Sequence, residues 1–244
     1  MHRLVTVTLF TLMAMLAAPA VLAESHSDDR IKQLALDAIL ENPEIIAEAI
    51  TLLRERDEER RLSHMRSRIS EYRDQLENDP NAPVLGKADG DVTIVEFFDY
   101  NCPYCKNVAP DVLNLINGDQ NIRLVYREWP ILGEDSVFAA RAALAAREQG
   151  KYEEFHWSLM GLRRATKETV LQAATALGMD IEKLQQDMMA EEVSAHIALS
   201  MQLANAIGFT GTPSFVMGDQ IVPGAISLEE MKRIVEAERQ AGSK

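Results

Sequence analysis

The stretch Phe97 to Asn107 reads FFDYNCPYCKN and holds both cysteines of the 244-residue chain, Cys102 and Cys105. A disulfide stabilises mainly by restricting the unfolded chain, and the gain shrinks with the loop it closes. Two intervening residues make a poor staple, so the spacing points to a pair that reacts. Pro103 suits the first position of a helix, which makes Cys102 its N-cap and places Cys105 one turn further in. The Cys102 sulfur then lies where backbone N–H groups and the positive helix end favour thiolate over thiol. This predicts an exposed nucleophile of low pKa at Cys102, and a Cys105 that faces the protein and resolves mixed disulfides. Lowered thiol pKa values in such motifs are a known pattern. Pro103 and Tyr104, between the cysteines, are counted with them as catalytic-site residues.

Glu96 is a carboxylate in an otherwise apolar run, TIVEFF. Two readings are open: an edge strand with Glu96 in water, or a buried acid beneath the dithiol that exchanges protons with Cys105. His64, His156 and His196 are isolated on helical stretches and read as surface or internally satisfied residues. No metal-ligand spacing is present, and a tetrahedral zinc site needs four ligands where only two sulfurs cluster. Copper(I) could be held by two soft thiolates.

The first residues, MHRLVTVTLFTLMAMLAAPAVLAES, bear on the compartment. Arg3 precedes an apolar run from Leu4 to Ala18, and Val21 and Ala23 sit at the −3 and −1 positions of a cleavage site. Residues 1–23 read as a signal peptide; the run falls short of the roughly 20 residues of a spanning helix. The expected mature chain of 221 residues carries 38 acidic and 24 basic side chains, a net charge near −14. That balance argues against nucleic acid and anionic membrane surfaces as partners.

Elements that would position the dithiol follow from composition. Residues 28–78 contain no Gly and one Pro and are rich in Ile, Leu, Ala, Glu and Arg. A helix over about Asp29–Glu41 is followed by ENPE, with Asn42 as N-cap and Pro43 at the first position of a second helix. Along that helix Ile45, Ile46, Ala49, Ile50, Leu52 and Leu53 form a broad apolar face, while Leu62, Met65, Ile69, Tyr72 and Leu76 repeat like a coiled-coil seam. The run RERDEERR between them reads as a solvated face or a linker. NDPNAP at 78–83 ends the helix. DVTIVEFFDY and NIRLVYREWP read as strands buried on both faces. A helical region spans about 134–207, TPSFVMGDQIV forms a hairpin about Gly218-Asp219, and SLEEMKRIVEAERQ closes as a helix with Ser227 and Glu230 at capping-box spacing.

FFDYNCPYC, YREWPILGEDS, GTPSF and the intervening helical block resemble the DsbA-like branch of thioredoxin-fold thiol:disulfide oxidoreductases, over residues 84–240. AILENPEIIAEAI resembles the N-terminal segment of ScsC-like (suppressor of copper sensitivity C) members, some of which are trimeric isomerases. The resemblance implies an α/β chain: a thioredoxin fold with a helical insertion at about 134–207 within a catalytic domain at 79–244, preceded by a helical oligomerisation segment and linker at 24–78. It also implies an acid at Glu96 beneath the site. Thr212-Pro213, which alone could be an ordinary turn, becomes a cis bond packed against the dithiol, with the Thr212 backbone free to pair with substrate.

The expected function is that of a periplasmic thiol:disulfide interchange protein, an oligomeric isomerase or reductase with a trimer favoured. Alternatives are a monomeric dithiol oxidase and a copper(I)-binding protein of copper tolerance. No cofactor is expected beyond the redox-active Cys102–Cys105 pair, with copper(I) at the thiolates as an option. Expected partners are unfolded or misoxidised periplasmic proteins and a membrane thiol reductase or oxidase that resets the dithiol.

Overall fold

The two runs that carry Glu96 and Glu128 are rich in apolar residues because both faces of their strands are covered. The computed structural model describes residues 21–242. Strand β2 (Val92–Phe98) lies parallel to β3 (Ile122–Glu128), with Glu96 opposite Tyr126 and Phe98 opposite Glu128. β4 (Ser214–Met217) runs antiparallel to β2 and forms the expected hairpin with β5 (Gln220–Pro223). Gly218 adopts φ +59° at that turn, a conformation only glycine takes without strain. A short edge strand, β1 (Val84–Gly86), pairs with β3 and completes the order β1-β3-β2-β4-β5. Three residues are too few to show a pattern, so β1 was not legible in the sequence.

The segment between β3 and β4 is helical throughout, as expected. α4 (Glu134–Ala145) is followed by a 3-10 turn, α5 (Tyr152–Gly161), α6 (Lys167–Ala176), α7 (Ile181–Asp187) and α8 (Glu191–Ile207). α3 (Pro103–Gly118) follows the dithiol, and α9 (Leu228–Gly242) closes the chain, its Glu230 N–H donating to Ser227 Oγ at 3.3 Å. One sheet face, with Ile94, Phe98, Tyr126 and Phe215, packs on α3, α9 and the insertion.

The opposite face differs from expectation. The helix α2 (Glu44–Glu77) is continuous through RERDEERR, yet the chain divides into two compact units after Glu58 rather than after Asn78. In the second unit, Met65, Ile69 and Leu76 are buried against Val95, Phe97, Val125 and Val216 of the sheet and Leu203 and Ile207 of α8. The apolar seam from Leu62 to Leu76 thus covers the catalytic domain's own sheet and α8 instead of forming a coiled-coil seam. Both uses bury the same stripe, and spacing alone does not say what covers it. The end of α2 is fixed there by Arg127, fully buried, which donates to the Leu76 carbonyl and to Asp79 Oδ2 at 2.6 Å. His196 completes the lock: Glu128 N–H donates to its Nε2, leaving Nδ1–H for Asp79 Oδ2 at 3.1 Å.

The first unit contains α1 (Val21–Glu41) and the start of α2. Asn42 does not cap α2 as expected; its Nδ2 turns back to the Ala38 carbonyl at 3.1 Å and closes α1. Apart from Val21–Ala23, which open α1, the expected signal peptide lies outside the described residues.

Candidate active site

Pro103 occupies the first turn of α3, and Cys102, with φ −75° and ψ 119°, is its extended N-cap residue. No backbone N–H reaches the sulfur with full capping hydrogen-bond geometry. Its surroundings also correct the expectation of an exposed nucleophile: Cys102 is 4% exposed and Cys105 0%, whereas Tyr104 between them is 66% exposed. What covers Cys102 is the Thr212–Pro213 segment. Because β4 is antiparallel to β2, with Ser214 opposite Phe97, the chain entering β4 arrives at the same end of the sheet from which β2 delivers Cys102. The Thr212–Pro213 bond is cis, and Cys102 Sγ lies 3.1 Å from the Thr212 carbonyl oxygen, to which it donates only as the protonated thiol.

The two thiols are driven apart in acidity. The Cys105 thiol, bonded to the Cys102 sulfur, is the largest influence holding Cys102 down at about 5; the Thr212 side chain and the Cys105 and Tyr104 backbone N–H groups add to it against the cost of burial. Burial pushes Cys105 far above the ordinary thiol range, and the bond to Cys102 adds to this. The pair therefore consists of a thiolate poised to attack and a thiol that keeps its proton.

Glu96 is 2% exposed on a central strand, so the edge-strand reading falls. Burial pushes its carboxyl up to about 8, and its charge is felt by Cys105. Thus Cys102, Pro103, Tyr104, Cys105, Glu96, Thr212 and Pro213 converge on one end of the sheet.

Several residues around the dithiol escaped the sequence reading. Asp99 accepts N–H bonds from Asn101, Ile131 and Leu132 at 2.7–2.9 Å, tying the segment before Cys102 to the loop after β3. Asn101 binds both backbone groups of Ala165 and the Ser136 hydroxyl. Lys106 Nζ donates to the Leu162 carbonyl at 2.7 Å at the end of α5. Glu128, 1% exposed, accepts from the Tyr100 and Tyr152 hydroxyls at 3.1 Å, and Tyr100 also meets His156 Nδ1 at 3.0 Å. Burial pushes Glu128 well above the carboxylate range, and pushes His156 down to about 3, so the imidazole is neutral near pH 7. The histidines 156 and 196 are, as expected, internally satisfied. The DYN triplet before the motif signals a side-chain-stabilised turn; Glu128 follows Arg127 directly, and that neighbour masked it as a buried acid. Among the described residues no group of three or more His, Cys, Asp or Glu is placed to hold a metal.

Residues 93–236 match the DSBA-like thioredoxin domain, which covers more than half of the sequence. The chain belongs to that family. Residues 29–60 match the copper resistance protein ScsC N-terminal domain. Among solved structures, a thioredoxin-like oxidoreductase from Silicibacter pomeroyi is 60% identical, covering 69% of this chain and 98% of its own, with a TM-score of 0.68. The catalytic domain of Proteus mirabilis ScsC is 25% identical over 72% of this chain and 98% of that one, at TM-score 0.65. A periplasmic thioredoxin-like protein from Salmonella enterica serovar Typhimurium is 30% identical, with coverages of 69% and 95% and TM-score 0.64. The first curated relatives are named Na(+)/H(+) antiporters; one from Salinispora tropica is 28% identical over 62% of this chain, which spans about a quarter of its length. As a DSBA-like protein the chain is a thiol:disulfide oxidoreductase with a DsbA-like thioredoxin fold and a helical N-terminal segment.

Proposed function

We propose that this oxidoreductase is exported to the periplasm and works as an oligomeric disulfide isomerase or reductase. In this reading the Cys102 thiolate attacks one sulfur of a substrate disulfide, forming a mixed disulfide while the other substrate sulfur departs as thiolate. Cys105 then loses its proton, which the ionised fraction of Glu96 can accept, and attacks the Cys102 sulfur, releasing the substrate sulfur as thiolate. The substrate leaves reduced by two electrons and the Cys102–Cys105 disulfide remains, to be reduced by a membrane thiol reductase. If a second substrate thiol resolves the mixed disulfide instead, the substrate is isomerised and the dithiol is returned unchanged. Periplasmic work fits the Salmonella relative, whose description places it there.

The observation that carries the oligomeric reading is the apolar surface of the first unit. Leu34, Leu40, Ile45, Ile46, Ile50 and Leu53 are all at least 44% exposed, on helices inside the ScsC-like segment. Surface of that kind needs a partner, and further copies of the chain are the nearest source. Gathering several Cys102 sites on one assembly keeps a substrate at high effective concentration through repeated attack. Among the described residues no helix is long and apolar enough to cross a bilayer. A copper(I) role would use the same two sulfurs.

Light scattering tests the proposal. The chain without its signal peptide should be oligomeric, with a trimer expected, and a variant starting at Glu59 monomeric. Both should reduce a small disulfide, and only the longer one should refold a scrambled-disulfide protein. A monomeric full-length chain overturns the isomerase reading and favours a dithiol oxidase.

A further inference from the structure

The residue before Cys102 and the residue after Cys105 grip the same loop. Asn101 Oδ1 accepts from Ala165 N–H at 2.8 Å, and its Nδ2 donates to the Ala165 carbonyl at 3.0 Å and to Ser136 Oγ at 3.2 Å. Lys106 Nζ donates to the Leu162 carbonyl at 2.7 Å. Thr169 Oγ1 adds a bond to the Arg164 carbonyl at 2.8 Å. The loop from Leu162 to Ala165, between α5 and α6, is therefore a fixed wall beside the dithiol.

Its sequence, Leu-Arg-Arg-Ala, places two exposed arginines on that wall in a chain whose net charge is −13. Nearby charges are mostly engaged. Arg164 pairs with Asp135 at 3.0 Å, Glu168 accepts from the Thr166 hydroxyl at 2.9 Å, and Lys167 lies over the Phe138 ring. Glu134 and Glu168 partly offset the basic side chains. Arg163 is exposed and, among the described residues, is the basic side chain of this group that makes no hydrogen bond, ion pair or ring contact; the exposed carboxylate Glu134 is likewise unengaged. An exposed cation on a loop held by Asn101 and Lys106, beside a buried thiolate that substrate must approach closely, is placed to read the side chains flanking the substrate cysteine.

We infer that Arg163 is a specificity-determining residue, selecting substrate segments that carry Asp or Glu next to the disulfide attacked by Cys102. The inference rests on the thiol–disulfide reading above and adds to it the chemistry of the preferred substrate.

Three peptide mixed disulfides, with Asp, Ala or Lys flanking the cysteine, provide the test on the full mature chain. The wild type should react faster with the acidic peptide than with the basic one, a preference that shrinks with added salt. Arg163→Gln should slow the acidic peptide roughly two- to fivefold, the scale of a solvent-exposed ion pair, and leave the Ala peptide unchanged. Arg163→Glu should reverse the preference. An unchanged acidic-to-basic ratio in Arg163→Glu overturns the inference. So does an equal slowing of all three peptides, which would place the effect of Arg163 on the thiolate. A wild type that exchanges with no peptide overturns the thiol–disulfide reading, and this one with it.

Discussion

The thiol of Cys105, without solvent exposure one turn below Cys102, is the largest influence on the ionisation of Cys102. Thiolate formation at position 102 is thus governed less by the helix end than by the neighbour that will later displace substrate. Cys105→Ala should raise the Cys102 pKa from about 5 by roughly one to two, the worth of one hydrogen bond to a charged sulfur. Since only thiolate alkylates, the wild-type rate at Cys102 should level off above about pH 5 and fall below it; in the variant the fall begins at higher pH. Ultraviolet thiolate absorbance reads the same midpoint. An unchanged midpoint would show that Cys105 does not set it.

Glu96 makes the opposite pH prediction, for stability. Its folded carboxyl titrates at about 8, against 4.5 for an unperturbed one. Between those values the unfolded chain has released a proton that the folded chain still holds, so this residue costs stability as pH rises through that window. The gap of about 3.5 corresponds to at most about 5 kcal/mol. Glu96→Gln, measured by denaturant unfolding, should therefore stabilise the reduced protein at pH 8 by about 2–5 kcal/mol, with the gain vanishing near pH 4. A variant equally stable or weaker at pH 8 would mean that the carboxyl is ionised in the folded state.

How much of this was legible turns on which residues act locally. Cys102, Pro103 and Cys105 announce their chemistry through spacing within one helical turn, and the two central strands through β-branched, aromatic runs. Asn101 and Lys106 were not legible, because their meaning lies in bonds to Ala165 and Leu162, more than fifty residues away. The seam Met65, Ile69 and Leu76 was legible as a buried stripe but not in its partner, since a coiled-coil mate and a sheet ask for the same apolar spacing. Likewise the direction of the Cys102 shift was legible in the sequence, although its main cause is Cys105 rather than the expected helix end, while its 4% exposure depends on Thr212 and Pro213 arriving from the far end of the sequence.

Asp79 and Arg127 form a buried ion pair at 2.6 Å, with His196 as a third member. Hydrogen bonds from His196 and the Asn81 backbone, with the Arg127 charge, outweigh burial and hold Asp79 down at about 2. Its contribution to stability is fully present above about pH 4 and is lost as pH falls toward 2. Asp79→Asn leaves Arg127 charged and buried and should cost about 3–5 kcal/mol in denaturant unfolding at pH 7. Adding Arg127→Met should recover part of that loss, because the pair is coupled. If the two changes simply add, the lock is not a unit.

The boundary within α2 sets the last prediction. A catalytic fragment cut by the proline-rich turn, starting at Asn81, lacks Met65, Ile69, Leu76 and Asp79; one starting at Glu59 keeps them all. Each buried apolar side chain is worth about 1.5–3 kcal/mol relative to exposure, offset by the entropy of ordering the helix that carries it. The shorter fragment also leaves Arg127 buried with neither Asp79 nor the Leu76 carbonyl as acceptor. It should melt about 10 °C or more below the longer one. It should also expose Val95, Phe97 and Val216, which dye binding and aggregation at micromolar concentration would report. The longer fragment should instead match full-length protein in the reduction of a small disulfide. Equal melting temperatures for the two fragments would show that the second half of α2 is not part of the catalytic core.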